Sequence, residues 1–104
     1  MHQIATLEQF QPDGTLITQT EGRHLVLTHK NGTVRAFVNS CPHMGVPLNA
    51  SGEKVTTFDD SLLICTVHGA LFEFDSGVCV GGPCSGRQLQ SVDIVCENGV
   101  IFLK

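Results

Sequence analysis

The chain has 104 residues, which is enough for one compact domain and too few for a second hydrophobic core. Its formal net charge is −4 and its six Lys and Arg residues are scattered, which argues against nucleic acid as a partner. No apolar run approaches the roughly 20 residues that a membrane helix needs, and the N-terminal residues lack a secretory signal. We therefore expect a single domain over residues 1–104, a cytoplasmic monomer that binds neither nucleic acid nor membrane.

Short apolar and β-branched runs alternate with turn signals along the chain, and helix signals are almost absent. The runs predicted to be strands are residues 3–7, 15–19, 24–28, 34–38, 54–58, 62–66, 71–74, 90–96 and 100–103. Asn31-Gly32 and Asn98-Gly99 are strong hairpin signals because both residue types tolerate positive φ. About nine or ten strands in so short a chain predict an all-β fold, an antiparallel sandwich or barrel.

Two stretches interrupt the strand pattern, and we expect them to be loops. Ser40 to Gly52 contains several glycines and prolines, and Val78 to Arg87 contains Gly81-Gly82-Pro83. Loops that a β scaffold positions commonly carry function, because they need no hydrogen-bonded ladder of their own.

A cysteine and a histidine occur together at two points of the chain, as Cys41-Pro42-His43 and as Cys65-Thr66-Val67-His68. Each pair supplies one thiolate and one imidazole at the end of a predicted strand. Five cysteines could indicate a disulfide framework, but the number is odd and two of them adjoin histidines, so metal ligation is the better interpretation. A structural zinc site is one alternative, since two Cys and two His can enclose Zn²⁺. A cysteine–histidine hydrolase is another, but it needs a third orienting residue that we do not find.

On these motifs the sequence resembles the Rieske ferredoxins over essentially the whole chain. Phe74-Asp75-Ser76-Gly77 and Gly81-Gly82-Pro83, which is similar to the proline loop of that family, extend the resemblance. The resemblance implies a three-sheet antiparallel fold with a small cluster-binding subdomain at about residues 40–85. It also implies one [2Fe–2S] cluster per chain, whose metal ligands would be Cys41 and Cys65 on one iron and His43 and His68 on the other.

Departures from the family pattern indicate a subtype. Val46 and Val67 stand where high-potential members carry an extra disulfide, and Ala70 and Phe72 stand where those members carry hydroxyl donors to sulfur. Hydrogen bonds to sulfur stabilise the reduced cluster, so their loss lowers the reduction potential. We expect a value near the bottom of the Rieske range, about −150 mV.

The remaining cysteines and the apolar residues of the first loop also have predicted roles. Cys79 and Cys84 are interpreted as inert thiols, with a disulfide or a redox-sensitive pair as alternatives, and Cys96 as a core residue. Four apolar residues of the first loop would form a docking rim: Met44, Val46, Pro47 and Leu48. For Met44 and Leu48 the alternative is that they only shield the cluster.

The function that these features favour is electron transfer without catalysis. As the resemblance implies, the protein would carry single electrons from a flavin-dependent reductase to a terminal oxygenase or a similar acceptor. The alternative is a small non-catalytic Rieske-fold subunit of a reductase such as nitrite reductase. No catalytic residue is predicted.

Overall fold

The computed structural model describes residues 2–40, 47–48, 55–59, 61–65, 69–82 and 86–104. Within these residues the regular structure is ten β-strands and one short 3-10 helix, Leu7–Gln9. The strands are β1 (His2–Thr6), β2 (Thr15–Thr20), β3 (Arg23–Lys30), β4 (Thr33–Val38), β5 (Thr56–Phe58), β6 (Leu62–Cys65), β7 (Ala70–Glu73), β8 (Cys79–Gly81), β9 (Ile94–Glu97) and β10 (Val100–Leu103). The predicted all-β class is confirmed. A search of the same residues finds no helix long and apolar enough to cross a membrane.

The strands form three antiparallel sheets. Sheet A has the order β1-β10-β9, sheet B the order β2-β3-β4, and sheet C the order β5-β6-β7-β8. The predicted Asn-Gly hairpins are confirmed, since Asn31 has φ 53° and Asn98 has φ 53°, each followed by a glycine at φ 78°. Positive φ at both central residues gives the turn whose twist matches that of the flanking strands.

Sheet B is the central layer of the described structure, because its strand β3 is buried on both faces. Leu25 and Leu27 point to one side and pack with Ile101 of sheet A, forming what we call the base core. Val26, between them, points to the other side and packs with Leu63 of sheet C in what we call the cluster-side core. Side chains alternate along a strand, so one apolar run can supply two cores.

The last but one predicted strand is shorter than expected. The sequence predicts a strand at residues 90–96, but β9 begins at Ile94. Residues 90–92 instead cover the outer edge of β4, since Val38 N–H donates to Gln90 C=O and Val92 N–H donates to Ala36 C=O. A covered edge strand does not offer unpaired backbone groups to other chains.

The predicted loop at residues 78–87 contains a strand that the sequence analysis missed. Strand β8 (Cys79–Gly81) pairs with β7 and has only three residues, one of them glycine, so its sequence carries little strand signal. Its Cys79 N–H also donates to Arg87 C=O on the outer side.

The prediction of Cys96 as a core residue is wrong, because the side chain is exposed. It lies opposite the buried Ile101 and therefore on the same face of sheet A. Strand β9 is at the edge of that sheet, whereas Ile101 lies on the central strand β10 and packs with Leu25 and Leu27 of sheet B.

Candidate metal centre

Cys65 is the predicted ligand that the structure describes, and it is the last residue of β6. Its side chain is fully buried, and it lies opposite Ala70 of β7. Gly69 N–H donates to Cys65 C=O at 2.7 Å, which closes the β6–β7 connection directly beside the thiol-bearing residue. His68 belongs to this connection, and residues 66–68 lie outside the described residues.

Cys41 and His43 also lie outside the described residues, but the residues that flank them are described. Asn39 follows β4, and its backbone N–H donates to His24 C=O of β3 at 2.8 Å. Its side-chain Oδ1 accepts the N–H of Leu48 at 2.8 Å in a buried hydrogen bond. Asn39 and Leu48 lie on either side of residues 41–46 in the sequence, and this hydrogen bond holds them together.

Leu48 joins this first segment to Cys65. It is fully buried and packs in the cluster-side core, which also contains Cys65, Ala70 and Phe72. Of the two predicted roles of Leu48, burial favours shielding over a docking rim, because a buried side chain contributes to packing and offers no surface to a partner. The neighbouring Pro47 is exposed, while Met44 and Val46 lie outside the described residues.

The predicted proline loop begins against the β6–β7 connection. A Cβ placed on Gly82 would lie 2.7 Å from Ala70 Cα and 3.2 Å from Gly69 O, and Gly82 has φ +92°. Only glycine combines this φ with so close a backbone approach. Just before it, the buried Cys79 thiol donates to Gly81 C=O at 3.0 Å, while Cys84 lies outside the described residues.

Three chain segments thus have their anchor points around Cys65. They are the flanks of residues 41–46, the connection at residues 66–68 and the start of the loop at residues 83–85. Among the described residues no group of three or more metal-ligating side chains occurs, and three of the four predicted ligands lie outside that part of the chain. The buried thiol and the close glycine approach fit the predicted cluster, whose donor set would be the two Cys and two His of the sequence motifs.

Ala70 and Phe72 occupy the face of sheet C that Cys65 also occupies. Ala70 lies opposite Cys65 and Phe72 lies opposite Leu63, and both side chains are fully buried. Neither side chain has a hydroxyl group. The positions at which the sequence analysis expects missing hydrogen-bond donors are therefore beside the predicted ligand.

Sequence reasoning missed one residue of this site, Asn39. The signal was present, since asparagine directly after an apolar strand commonly bonds to nearby backbone in a turn. Its partner, nine positions along the chain, was not predictable from local spacing.

Comparisons with known proteins agree with this architecture. The family model of the Rieske [2Fe–2S] domain matches residues 1–96. No curated protein sequence matches the chain. The ferredoxin of carbazole 1,9a-dioxygenase from Nocardioides aromaticivorans IC177 has a similar structure, with a TM-score of 0.78, 22% identity and coverage of 97% of this chain and 93% of that one.

Two further structures show the range of similar proteins. The terminal oxygenase of carbazole 1,9a-dioxygenase from Novosphingobium sp. KA1 has a TM-score of 0.81 and 24% identity, with coverage of 98% of this chain but 28% of the oxygenase. A protein assigned as a nitrite reductase NADPH small subunit has a TM-score of 0.70 and 16% identity, with coverage of 98% and 96%. At these identities the likeness shows the fold.

Proposed function

The chain belongs to the Rieske [2Fe–2S] domain family, and on this premise we propose that it is an electron carrier whose cluster is held by Cys41, His43, Cys65 and His68. The observation that carries this assignment is the buried Cys65 at the end of β6, around which the anchors of the three loop segments converge. We further propose that these segments belong to a cluster-binding subdomain at about residues 40–85 of a single domain.

Each of the two irons would be bound by two of the four ligands. Cys41 and Cys65 would bind one iron as thiolates, and His43 and His68 would bind the other as neutral imidazoles. When bound, the cluster supplies a centre that accepts and returns one electron. The protein residues hold it, exclude water from its buried side through Leu48 and Phe72, and set its potential.

We propose that the potential lies toward the lower end of the Rieske range, about −150 mV. Ala70 and Phe72 carry no hydroxyl group and are buried on the face that bears Cys65. Without such donors the reduced, more negative cluster is less stabilised, and the reduction potential falls.

The proposed partners are a flavin-dependent reductase as donor and a terminal oxygenase as acceptor. In support, the chain has nearly the same length as the similar ferredoxin of carbazole 1,9a-dioxygenase, whereas it spans about a quarter of the similar oxygenase. A carrier of this kind must dissociate from each partner after electron transfer. We also propose that the chain is a monomer and that it is located in the cytoplasm.

A second candidate is a non-catalytic subunit of a reductase, favoured by the likeness to the nitrite reductase small subunit. The two candidates differ in how tightly the chain binds a partner. A subunit would copurify with a large reductase chain at a fixed ratio. A carrier would purify alone and pass electrons to an added acceptor at a rate that depends on the acceptor concentration.

The ligand assignment can be tested by substitution. We expect Cys41→Ser and His68→Ala to abolish or strongly alter the visible absorption and to lower the iron content below two per chain, as expected for a [2Fe–2S] centre. Cys96→Ser is the matched control, because Cys96 is exposed on β9 and outside the proposed site. A wild-type spectrum in the His68 variant, or a colourless wild-type protein with one zinc, would refute the assignment.

A further inference from the structure

Asn39 is a buried polar residue at the point where the chain leaves the central sheet. The residue is only 6% exposed. Its backbone N–H donates to His24 C=O at 2.8 Å, so the residue is fixed to β3 just after β4 has ended. A buried amide needs hydrogen-bond partners, and its position is therefore well determined.

The side chain of Asn39 reaches across to a residue nine positions further along the chain. Its Oδ1 accepts the N–H of Leu48 at 2.8 Å. Leu48 is fully buried and packs in the same core as Cys65. One side chain thus connects the central sheet to the far flank of residues 41–46 and, through Leu48, to the surroundings of Cys65.

We propose that Asn39 is a positioning residue for the cluster. Its side chain holds together the two residues that flank Cys41 and His43 in the sequence, Asn39 itself and Leu48, and Leu48 packs in the core that contains Cys65. This inference rests on the proposed function, because it assumes that these residues hold the cluster. It goes beyond that function by assigning a role to a residue that is not a ligand.

The hydrogen bond has the properties that such a role requires. Both of its ends are buried, so loss of the acceptor would leave the Leu48 N–H without a partner and without water. Closing a segment at its two ends also reduces the number of conformations open to the residues between them. Finally, the amide is neutral, so it fixes the segment without adding negative charge beside a centre that becomes more negative on reduction.

The test compares three variants of the full-length protein. Asn39→Leu keeps the approximate size of the side chain and removes the acceptor, whereas Asn39→Asp keeps an acceptor oxygen. Thr28→Val is the matched control, since Thr28 is also buried and its Oγ1 donates to Phe74 C=O at 2.8 Å, a bond that involves neither Leu48 nor Cys65. If Asn39→Leu does not fold, Asn39→Ser replaces it in the test. The serine side chain is shorter, so its hydroxyl oxygen does not reach the position of Asn39 Oδ1.

Two readouts separate positioning from general stability. The first is hydrogen exchange by mass spectrometry on the peptide that contains Leu48, and the second is the rate of iron loss to a chelator in native buffer. We expect Asn39→Leu to accelerate both by about tenfold or more, as for a buried donor left unpaired, and to change the EPR spectrum of the reduced protein. We expect Asn39→Asp to recover part of the exchange protection, and Thr28→Val to change neither readout.

Two results would overturn the proposal. If Asn39→Leu loses iron no faster than Thr28→Val and keeps the wild-type EPR spectrum, Asn39 is merely structural. Equal exchange in Asn39→Asp and Asn39→Leu would show that the acceptor oxygen does not hold Leu48. A wild-type chain that binds no cluster would refute both the proposed function and the role of Asn39 toward the cluster. In that case the hydrogen-exchange measurement would still decide whether Asn39 holds Leu48.

Discussion

The base core and the cluster-side core share sheet B but are assembled differently. The buried residues of the base core all lie in strands, and they include Ala5 of β1 and Ile101 of β10, which pair although they are far apart in the sequence. The cluster-side core also contains buried residues outside the strands, such as Leu48 and Leu89, and the bond from Asn39 to Leu48 holds one of them in place. Stability and cluster properties should therefore be separable, because each side of the central sheet can be changed without the other.

The largest expected effect on stability comes from the base core. Ile101→Ala removes a fully buried side chain and should lower the free energy of unfolding by about 2–5 kcal/mol, measured by urea denaturation. Val100→Ala, at a half-buried position of the same strand, is the control and should cost less. The visible spectrum and the reduction potential should remain those of the wild type. A clear change in the potential of Ile101→Ala would show that the two cores are coupled.

A smaller effect on stability, together with an effect on the cluster, is expected at Gly82. Gly82→Ala would place a methyl group 2.7 Å from Ala70 Cα and would also carry the cost of positive φ, which is about 1–2 kcal/mol by itself. Gly86 is the matched control, since it has the same φ of +92° and a Cβ placed on it would meet no described atom within 4 Å.

We expect both glycine variants to lose stability in urea, and only Gly82→Ala to lose iron faster to a chelator in native buffer. The reason is that the added methyl group would push the start of the proline loop away from the β6–β7 connection. Equal rates of iron loss in the two variants would contradict this account of the loop.

The smallest expected effect is a shift in potential. Phe72→Tyr adds a hydroxyl group on the face of sheet C that bears Cys65. A new hydrogen bond that favours the reduced cluster by about 1 kcal/mol would raise the midpoint by roughly 40 mV for one electron. Phe58→Tyr, at a side chain that is 58% exposed, should leave the midpoint unchanged. A Phe72→Tyr midpoint at or below that of the control would disprove the role assigned to the missing hydroxyl.

The sequence predicted those parts of the fold that local signals determine. Asn31-Gly32 specified its hairpin because few residue pairs adopt positive φ at both positions. Strand β8 was missed because three residues ending in glycine give no clear pattern. Residues 90–92 resemble a strand, but they cover the edge of β4, and Cys96 resembles a core residue, but it lies on an edge strand. Backbone pairing at residues 90–92 and exposure of Cys96 both depend on which elements pack next to a strand, and local sequence does not specify this.

In the candidate metal centre, too, some features follow from local sequence and others from the packing of distant segments. The predicted ligand motifs and the predicted loops follow from residue type and spacing, and Cys65 lies where β6 ends. The anchors of those loops did not follow. The bond from Asn39 to Leu48 and the approach of Gly82 to Ala70 arise only once separate strands have packed together. Leu48 was assigned in part to the surface because an apolar residue in a loop gives no sign of which way it points.

The central claim is that two cysteines and two histidines hold a [2Fe–2S] cluster in this chain. Pulsed EPR of the reduced protein, produced with ¹⁵N-labelled histidine, tests it most directly. We predict couplings from two iron-bound imidazole nitrogens, which are lost or reduced to one when His43 or His68 is replaced. A reduced cluster without any histidine nitrogen coupling, or a protein with no paramagnetic signal after reduction, would contradict the claim.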